Sequence, residues 1–391
     1  MNGSNFAQLL LRRSDFRDSH AQKTFWSGRF EKEELEQVFS WRELNSCLSC
    51  NRITNDRFRM STASEHEEVN RRAFRHARDR FGRTTDHLLI NELHVLMREG
   101  VTGVLEAVNE LVPSVGNLTE TLGGTLGAQS TANAYVSFGS ISGFGIHNDD
   151  HDVIVIQLEG RKRWQFFASS VDAKRKATVK DIQAPSASDR GVELVISSGD
   201  VMFVPKGTWH DVIALNEKSL HLTISLVYPT MMDFVQWGLA REKYGLSYHD
   251  IRQSCTNREE LLKVCENHFQ RLITSENLEK FSKTFYAGHA SSRIRANFPS
   301  LNLAGEEDSF RRISFDIASL DTTTNTNEID VYALGQIHRL TAVEYKILSQ
   351  LSSQTMTRGA QLITSENLWA DISRALTSLM DKGLVGKQAF V

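Results

Sequence analysis

Between residues 132 and 228 the chain is a succession of short β-branched and aromatic runs broken by Gly, Pro and Asp. Tyr135 to Phe138, Val153 to Leu158, Arg163 to Phe167, Val192 to Ile196, Val201 to Val204 and Leu220 to Tyr228 are each of strand length. They are too short for core helices, and turn residues separate them. Many short strands with such punctuation close into a sandwich or a barrel. Whatever this chain does is therefore expected to be built on an all-β core over 132–228.

Helical periodicity dominates on both sides. Glu31, Glu34 and Glu36 around Leu35 and Phe39 predict a short helix. Residues 61–83 are dense in charge and read as a solvated segment or as a basic rim for an anionic partner. Leu89, Leu93 and Leu96, then Val104, Val108 and Leu111, predict two helices separated at Gly100. After Pro229, Met231 to Tyr244 and Glu259 to Leu272 are helical. In the last part Val343, Tyr345, Ile347, Leu348 and Leu351 line a helix, followed by Leu368 to Met380 and Gly383 to Gly386. Helix, connector, helix, Gly turn and short strand read as a winged helix. Leu272–Leu278 and Leu362–Leu368 are identical, which capping chemistry before a helix explains without a repeat. An α+β chain is expected: 1–230 holding the β core behind helical elaboration, 231–300 helical, and 301–391 winged-helix-like.

Composition excludes several classes. With 45 Lys+Arg against 48 Asp+Glu the formal charge is −3, so a chain-wide basic footprint for nucleic acid is ruled out, although a local patch is not. No apolar run reaches the ~18 residues of a membrane span. The first twenty residues lack an uninterrupted apolar stretch, which predicts no signal peptide and a cytoplasmic protein. Cys47 and Cys50 form a C-x-x-C, but Cys255 and Cys265 lack the spacing of a second zinc pair.

The residues that carry chemistry are His147-Asn-Asp149 and His210. On an extended segment positions i and i+2 face the same side, so His147 and Asp149 stand together. His210 follows Gly199-Asp200, the strand Val201 to Val204 and Pro205-x-Gly-x-Trp, and a barrel returns such a residue to the same mouth. Two imidazoles and one carboxylate on one face leave positions open opposite, as non-haem Fe(II) oxygenases require. His151 and Asp152 read as supporting or strand-end groups. Trp164 and Phe166 read as core, and Trp209 either packs this site or is ordinary core.

Phe144 to Trp164, with Phe25-Trp26, Ala132 to Tyr135, Pro205 to His210 and Ser219 to Ser225, resembles the cupin-like JmjC oxygenases of ribosomal type. The resemblance implies a double-stranded β-helix followed by a helical dimerisation region and a C-terminal winged helix. It implies a 2-oxoglutarate-, O2- and Fe(II)-dependent hydroxylase with His147, Asp149 and His210 as iron ligands. Lys162 matches the cation for the distal carboxylate of 2-oxoglutarate, and Asn133, Tyr135 and Ser225 match other co-substrate positions. Strand alternation sets Lys162 on the face opposite Arg161 and Arg163, and a buried carboxylate needs such a partner.

The expected substrate is a polypeptide side chain, in a ribosomal protein. A natural-product precursor peptide or small molecule would use the same chemistry, and residues 168–190 would shape that choice. A non-catalytic winged-helix regulator on DNA is the contrasting reading. From Arg311 to Val391 eight acids balance eight bases, which argues against duplex affinity. A homodimer is expected from the resemblance and from the stripe Met231, Met232, Phe234, Val235 and Trp237.

Overall fold

The computed structural model describes the chain apart from residues 1–2, 65, 79, 168–184, 187–188, 242–257, 295–303, 321–327, 364–367 and 389–391. It divides into two compact units, Met1–Val227 and Tyr228–Val391. The strands of the first unit are β1 (Trp26–Arg29), β2 (Phe58–Ser61), β3 (Phe74–Arg78), β4 (Thr84–Leu88), β5 (Thr102–Leu105) and β6 (Gln129–Ser137). They continue with β7 (Asp152–Glu159), β8 (Arg161–Phe167), β9 (Arg190–Ser197), β10 (Asp200–Val204), β11 (His210–Ala214) and β12 (Ser219–Val227).

Two antiparallel sheets form the body of this unit. One has seven strands in the order β1-β10-β7-β12-β6-β5-β2, and the other has three in the order β11-β8-β9. The unbroken apolar run of β7 follows from its place between β10 and β12, where both of its faces are buried. Val153 and Val155 pack with Trp164, Ile196, Met202 and Val204, which joins the large sheet to the small one. Ile154 and Ile156 alternate to the opposite face and are fully buried there. The β-rich core with added helices matches the expected α+β class.

The core is wider than residues 132–228, because β1, β2 and β5 from the N-terminal part extend the large sheet. The second of the two helices expected over 86–111 is absent. Ile90–Arg98 is helical and Gly100, at φ +90°, ends it, but Val104 lies in β5 and Val108 in a single 3-10 turn. The reason is steric and local. Gly103 lies against Phe58 and Val136, so this stretch is clamped between β2 and β6, and pairing overrides helical spacing. The charged segment 61–83 resolves into a helix, His66–Ala73, and the start of a separate hairpin, β3–β4.

The turn from β7 to β8 depends on Gly160. Its φ is +71°, and a Cβ there would sit 2.0 Å from the Lys218 carbonyl oxygen. Buried Gln157 donates to the carbonyls of Glu159 (2.7 Å) and Gly160 (3.3 Å) and to Ser219 Oγ (3.0 Å), closing the same corner. Gly160→Ala should destabilise the protein by roughly 2–3 kcal/mol, combining backbone strain with a clash. A urea titration checks this; an unchanged midpoint would mean that the corner opens freely.

In the second unit, helices Met231–Arg241, Arg258–Leu272 and Ser275–Gly288 enclose Phe234, Leu272 and Phe281. The expected apolar stripe splits: Phe234 and Trp237 turn inward, whereas Met231 and Met232 are 64% and 63% exposed. Farther on, strand Ser309–Arg312 pairs with Thr357–Arg358 and Val385–Lys387. A hairpin, Glu328–Ala333 with Gln336–Thr341, leads into helix Ala342–Gln350, which begins with a Thr341/Glu344 capping box. That helix and Trp369–Asp381 share a core containing Leu348, Leu376 and Leu379. Of the two identical segments, the first starts a helix capped by Thr274, and part of the second lies outside the described residues.

Candidate active site

A cavity of about 270 Å³ opens between the two sheets of the first unit. Its lining includes every residue singled out from the sequence: Asn133, Tyr135, His147, Asp149, Lys162, His210 and Ser225. Residues 168–184 of the expected selectivity loop lie outside the described residues.

His147 and His210 face each other through an isolated antiparallel bridge, with N–H···O distances of 3.0 and 2.8 Å in the two directions. Gly207 N–H donates to the Asp149 carbonyl at 2.9 Å, continuing that pairing. The approach is shaped by Gly145, whose φ is +69° and whose N–H donates to Ser142 Oγ. Asp152, buried at the start of β7, accepts from Lys206 N–H (2.8 Å) and pairs with Lys23. It ties the segment leading to His210 to the strand that follows Asp149. The backbone thus brings two distant parts of the chain into register before any side chain acts.

One ligand atom from each of His147, Asp149 and His210 lies within 4.8 Å of the others. His210 Nε2 is 3.8 Å from Asp149 Oδ2. His147 Nδ1 faces the Gly145 carbonyl and His210 Nδ1 faces the Thr208 carbonyl, each at 2.9 Å. A carbonyl can only accept, so Nδ1 carries the proton in both rings and Nε2 presents its lone pair. Burial, with His147 beside it, pushes the His210 pKa down and favours the neutral ring. Two imidazole Nε2 atoms and a carboxylate oxygen on one side form a donor set suited to a divalent transition metal. Trp164 stacks on His210 at 5.1 Å and 28°. It is buried as expected of a core residue, yet it also lines the cavity.

Lys162 has the second conspicuous environment. It is 4% exposed, and among the described residues no carboxylate lies within ion-pair distance of it. Desolvation lowers its pKa from 10.5 to about 7. The flanking Arg161 and Arg163 point away, paired with Glu217 and Glu193. A buried lone ammonium beside open space is costly unless an anion fills that space. Asn133 Oδ1 accepts from Ala107 N–H at 2.9 Å. Burial raises the Tyr135 phenol pKa, so the hydroxyl stays protonated and can donate.

His221 escaped the sequence reading. Its ring stacks on Tyr135 at 4.6 Å and 7°, and its buried Nδ1 has no partner among the described residues. Burial and the nearby Lys162 push its pKa well down. His221, Thr223 and Ser225 share the inner face of β12, and period-two spacing in Ser219–Ser225 was the signal for it. Arg59, paired with Glu106, also lines the cavity and reaches it from β2, a strand invisible in the local pattern.

The family model for the JmjC domain matches residues 114–234. Over that stretch the chain is similar to a JmjC domain. Its curated relatives include the bifunctional lysine-specific demethylase and histidyl-hydroxylase NO66 of Drosophila persimilis, 27% identical over 167 residues, covering 37% of this chain and 24% of that protein. The Drosophila simulans NO66 is 35% identical over 98 residues, covering 24% and 12%. The chain therefore spans at most about a quarter of the length of these relatives. Among solved structures, Escherichia coli YcfD has a TM-score of 0.57 at 15% identity, covering 96% of this chain and 97% of that one. The Escherichia coli ribosomal oxygenase YcfD in complex with cobalt and 2-oxoglutarate has a TM-score of 0.55 at 16% identity, covering 96% and 98%. At these identities the likeness is one of fold, and it places the JmjC-like stretch of this chain in the same architecture. No described helix is long and apolar enough to cross a membrane.

Proposed function

We propose that the protein is an Fe(II)- and 2-oxoglutarate-dependent oxygenase that hydroxylates a side chain in a polypeptide, with a ribosomal protein as the substrate. The observation that carries this reading is a single cavity holding both a His147/Asp149/His210 donor cluster and the carboxylate-free ammonium of Lys162. A metal site alone would suit many chemistries. The buried cation selects a co-substrate with a second, distal carboxylate.

His147, Asp149 and His210 would hold the metal, and the Nδ1 protons of the two histidines, anchored on backbone carbonyls, leave Nε2 as the ligand atom of each ring. Lys162 pairs with the distal carboxylate, and Tyr135, Asn133 and Ser225 supply polar wall around it. Trp164 fixes the His210 ring and keeps water from that side. The bound metal and co-substrate supply the oxidising chemistry: 2-oxoglutarate and O2 give succinate and CO2, with one oxygen atom inserted into a substrate C–H bond. The ribosomal assignment is supported by the names of YcfD and the polypeptide assignment also by those of the NO66 relatives. Succinate release from 2-oxoglutarate, measured with ribosomal proteins as prime substrates, should be iron-dependent and accompanied by a +16 Da product. No succinate with any metal would sink the oxygenase. Succinate without the mass change would leave the chemistry and remove the substrate.

The proposal extends to self-association through the helices of residues 231–288, supported by exposed Met231 and Met232. Light scattering should give about twice 44.2 kDa, and a monomer mass at micromolar concentration would remove it. The unit following residue 301 is proposed as a winged-helix-like protein-contact module, since its charges balance from Arg311 to Val391 and acids are in excess before that. A gel shift with duplex DNA at physiological salt should be negative.

A further inference from the structure

We propose that the β3–β4 hairpin, with the groove at its base, is a binding site for single-stranded nucleic acid. Between residues 71 and 83 the chain carries six arginines and one aspartate, although its overall charge is −3. Arg72 is committed to Glu99 at 2.8 Å. Among the described residues, no carboxylate lies within ion-pair distance of Arg71, Arg75, Arg78 or Arg80, and all four are exposed. So strong a local excess of unneutralised guanidinium suits a phosphate backbone.

Phe81 separates a chain of phosphates from other anions. It stands at the hairpin tip, 67% exposed, with Arg80 over its ring at 4.6 Å and Arg83 at 5.3 Å. An aromatic face with cations beside it is a stacking platform for an unpaired base. A duplex keeps its bases stacked internally, and an acidic peptide offers carboxylates without a planar π-face at each residue. The hairpin also leads somewhere. Arg75 lies directly opposite His87, on the same face of the ribbon. His87 lines a groove of about 470 Å³, together with Asn51, Arg52 and His94. Asp86, the single carboxylate among the groove's lining residues, is bonded to His76 at 2.5 Å. Arg75 and His87 join one face of the ribbon to this groove, Arg78 stands on the other face opposite Thr84, and Arg80 flanks Phe81 at the tip, so a strand wrapping the hairpin meets guanidinium on both sides. A flat anionic membrane would meet the tip but would not use the groove.

The full chain should bind fluorescein-labelled U12 RNA and dT12 DNA in fluorescence polarisation, more weakly as salt rises. The triple variant R75A/R78A/R80A should weaken binding tenfold or more. It should also flatten the log K against log salt slope by about two, since each single-strand phosphate contact contributes ~0.7. Phe81→Ala should weaken binding about fivefold or more with the slope unchanged, as expected for a lost stacking contact. The hairpin is its own two-stranded sheet outside the seven-stranded one, so these variants should melt like the parent. Variants that bind U12 and dT12 as tightly as the parent would overturn the proposal. So would equal affinity for a duplex of the same length. Capture of polyglutamate or phosphatidylserine vesicles through the same residues, without oligonucleotide binding, would reassign the surface. None of these outcomes depends on the chemistry of the JmjC-like cavity.

Discussion

His210→Ala should reduce 2-oxoglutarate-dependent succinate formation to background while leaving the protein folded. The side chain supplies one of the clustered donor atoms, and among the described residues no fourth donor joins the cluster. Loss of a group that merely orients a metal ligand already costs 10–100-fold in metal affinity or activity. Loss of the ligand itself should weaken metal binding by at least ~100-fold, readable by competition with a coloured chelator. The fold should survive because the bridge to His147 is made by backbone N–H and C=O groups, which alanine keeps. Removing the ring takes away one of the two rings stacked on Trp164, leaving Phe166, so a modest drop in melting temperature is expected. Unchanged succinate formation would strike His210 from the ligands. Loss of activity with loss of fold would be separated by His210→Gln, which keeps volume and polarity but not the imidazole.

Period-two alternation is why so much of this cavity was legible. Lys162 sits between Arg161 and Arg163 on a strand whose sidedness follows from counting, and the i, i+2 spacing of His147 and Asp149 pointed to one side even though they lie on a segment held by a single isolated bridge. The same count on β12 would have reached His221 and Thr223 through Ser225. What stayed hidden depends on long-range pairing. Arg59 comes from β2, which joins the large sheet only through β5, and Val104 of β5 is helically spaced with Val108 in the turn that follows. A four-residue apolar strand gives periodicity too little length to act on. Trp164 was legible as buried but not as a wall, because one face of an indole can serve the core while the other serves a site. The helix Pro113–Leu126 was missed for another reason. Its buried Gly116, Gly123 and Gly124 lower helix propensity, yet Gly116 and Gly123 allow close backbone approach to Asn109 and Ala128.

Lys162→Met should raise the KM for 2-oxoglutarate by roughly 100-fold or more, the scale on which breaking a buried ion pair acts. The same substitution should stabilise the protein in the absence of co-substrate. Burial without a partner holds the Lys162 pKa at about 7, well below its ordinary 10.5. The unfolded chain therefore binds the proton more tightly than the folded one. The resulting penalty is absent above pH 10.5, grows as pH falls, and reaches its full value below about 7. It is on the order of several kcal/mol at neutral pH, so removing the amine should lift the melting temperature by several degrees. The difference between variant and parent should shrink as pH rises toward 10.5. Turnover should show the mirror image. A carboxylate is held by the ammonium, not the amine, so the parent KM should climb as pH rises above about 7 and stay level below it. The methionine variant should lack that climb. A KM and a melting temperature both unaltered by the substitution would mean that Lys162 faces water, and the cavity would then have no claim on a dicarboxylate. Stability given up at this position in the empty protein is the expected signature of a site shaped for its ligand's charge rather than for the fold.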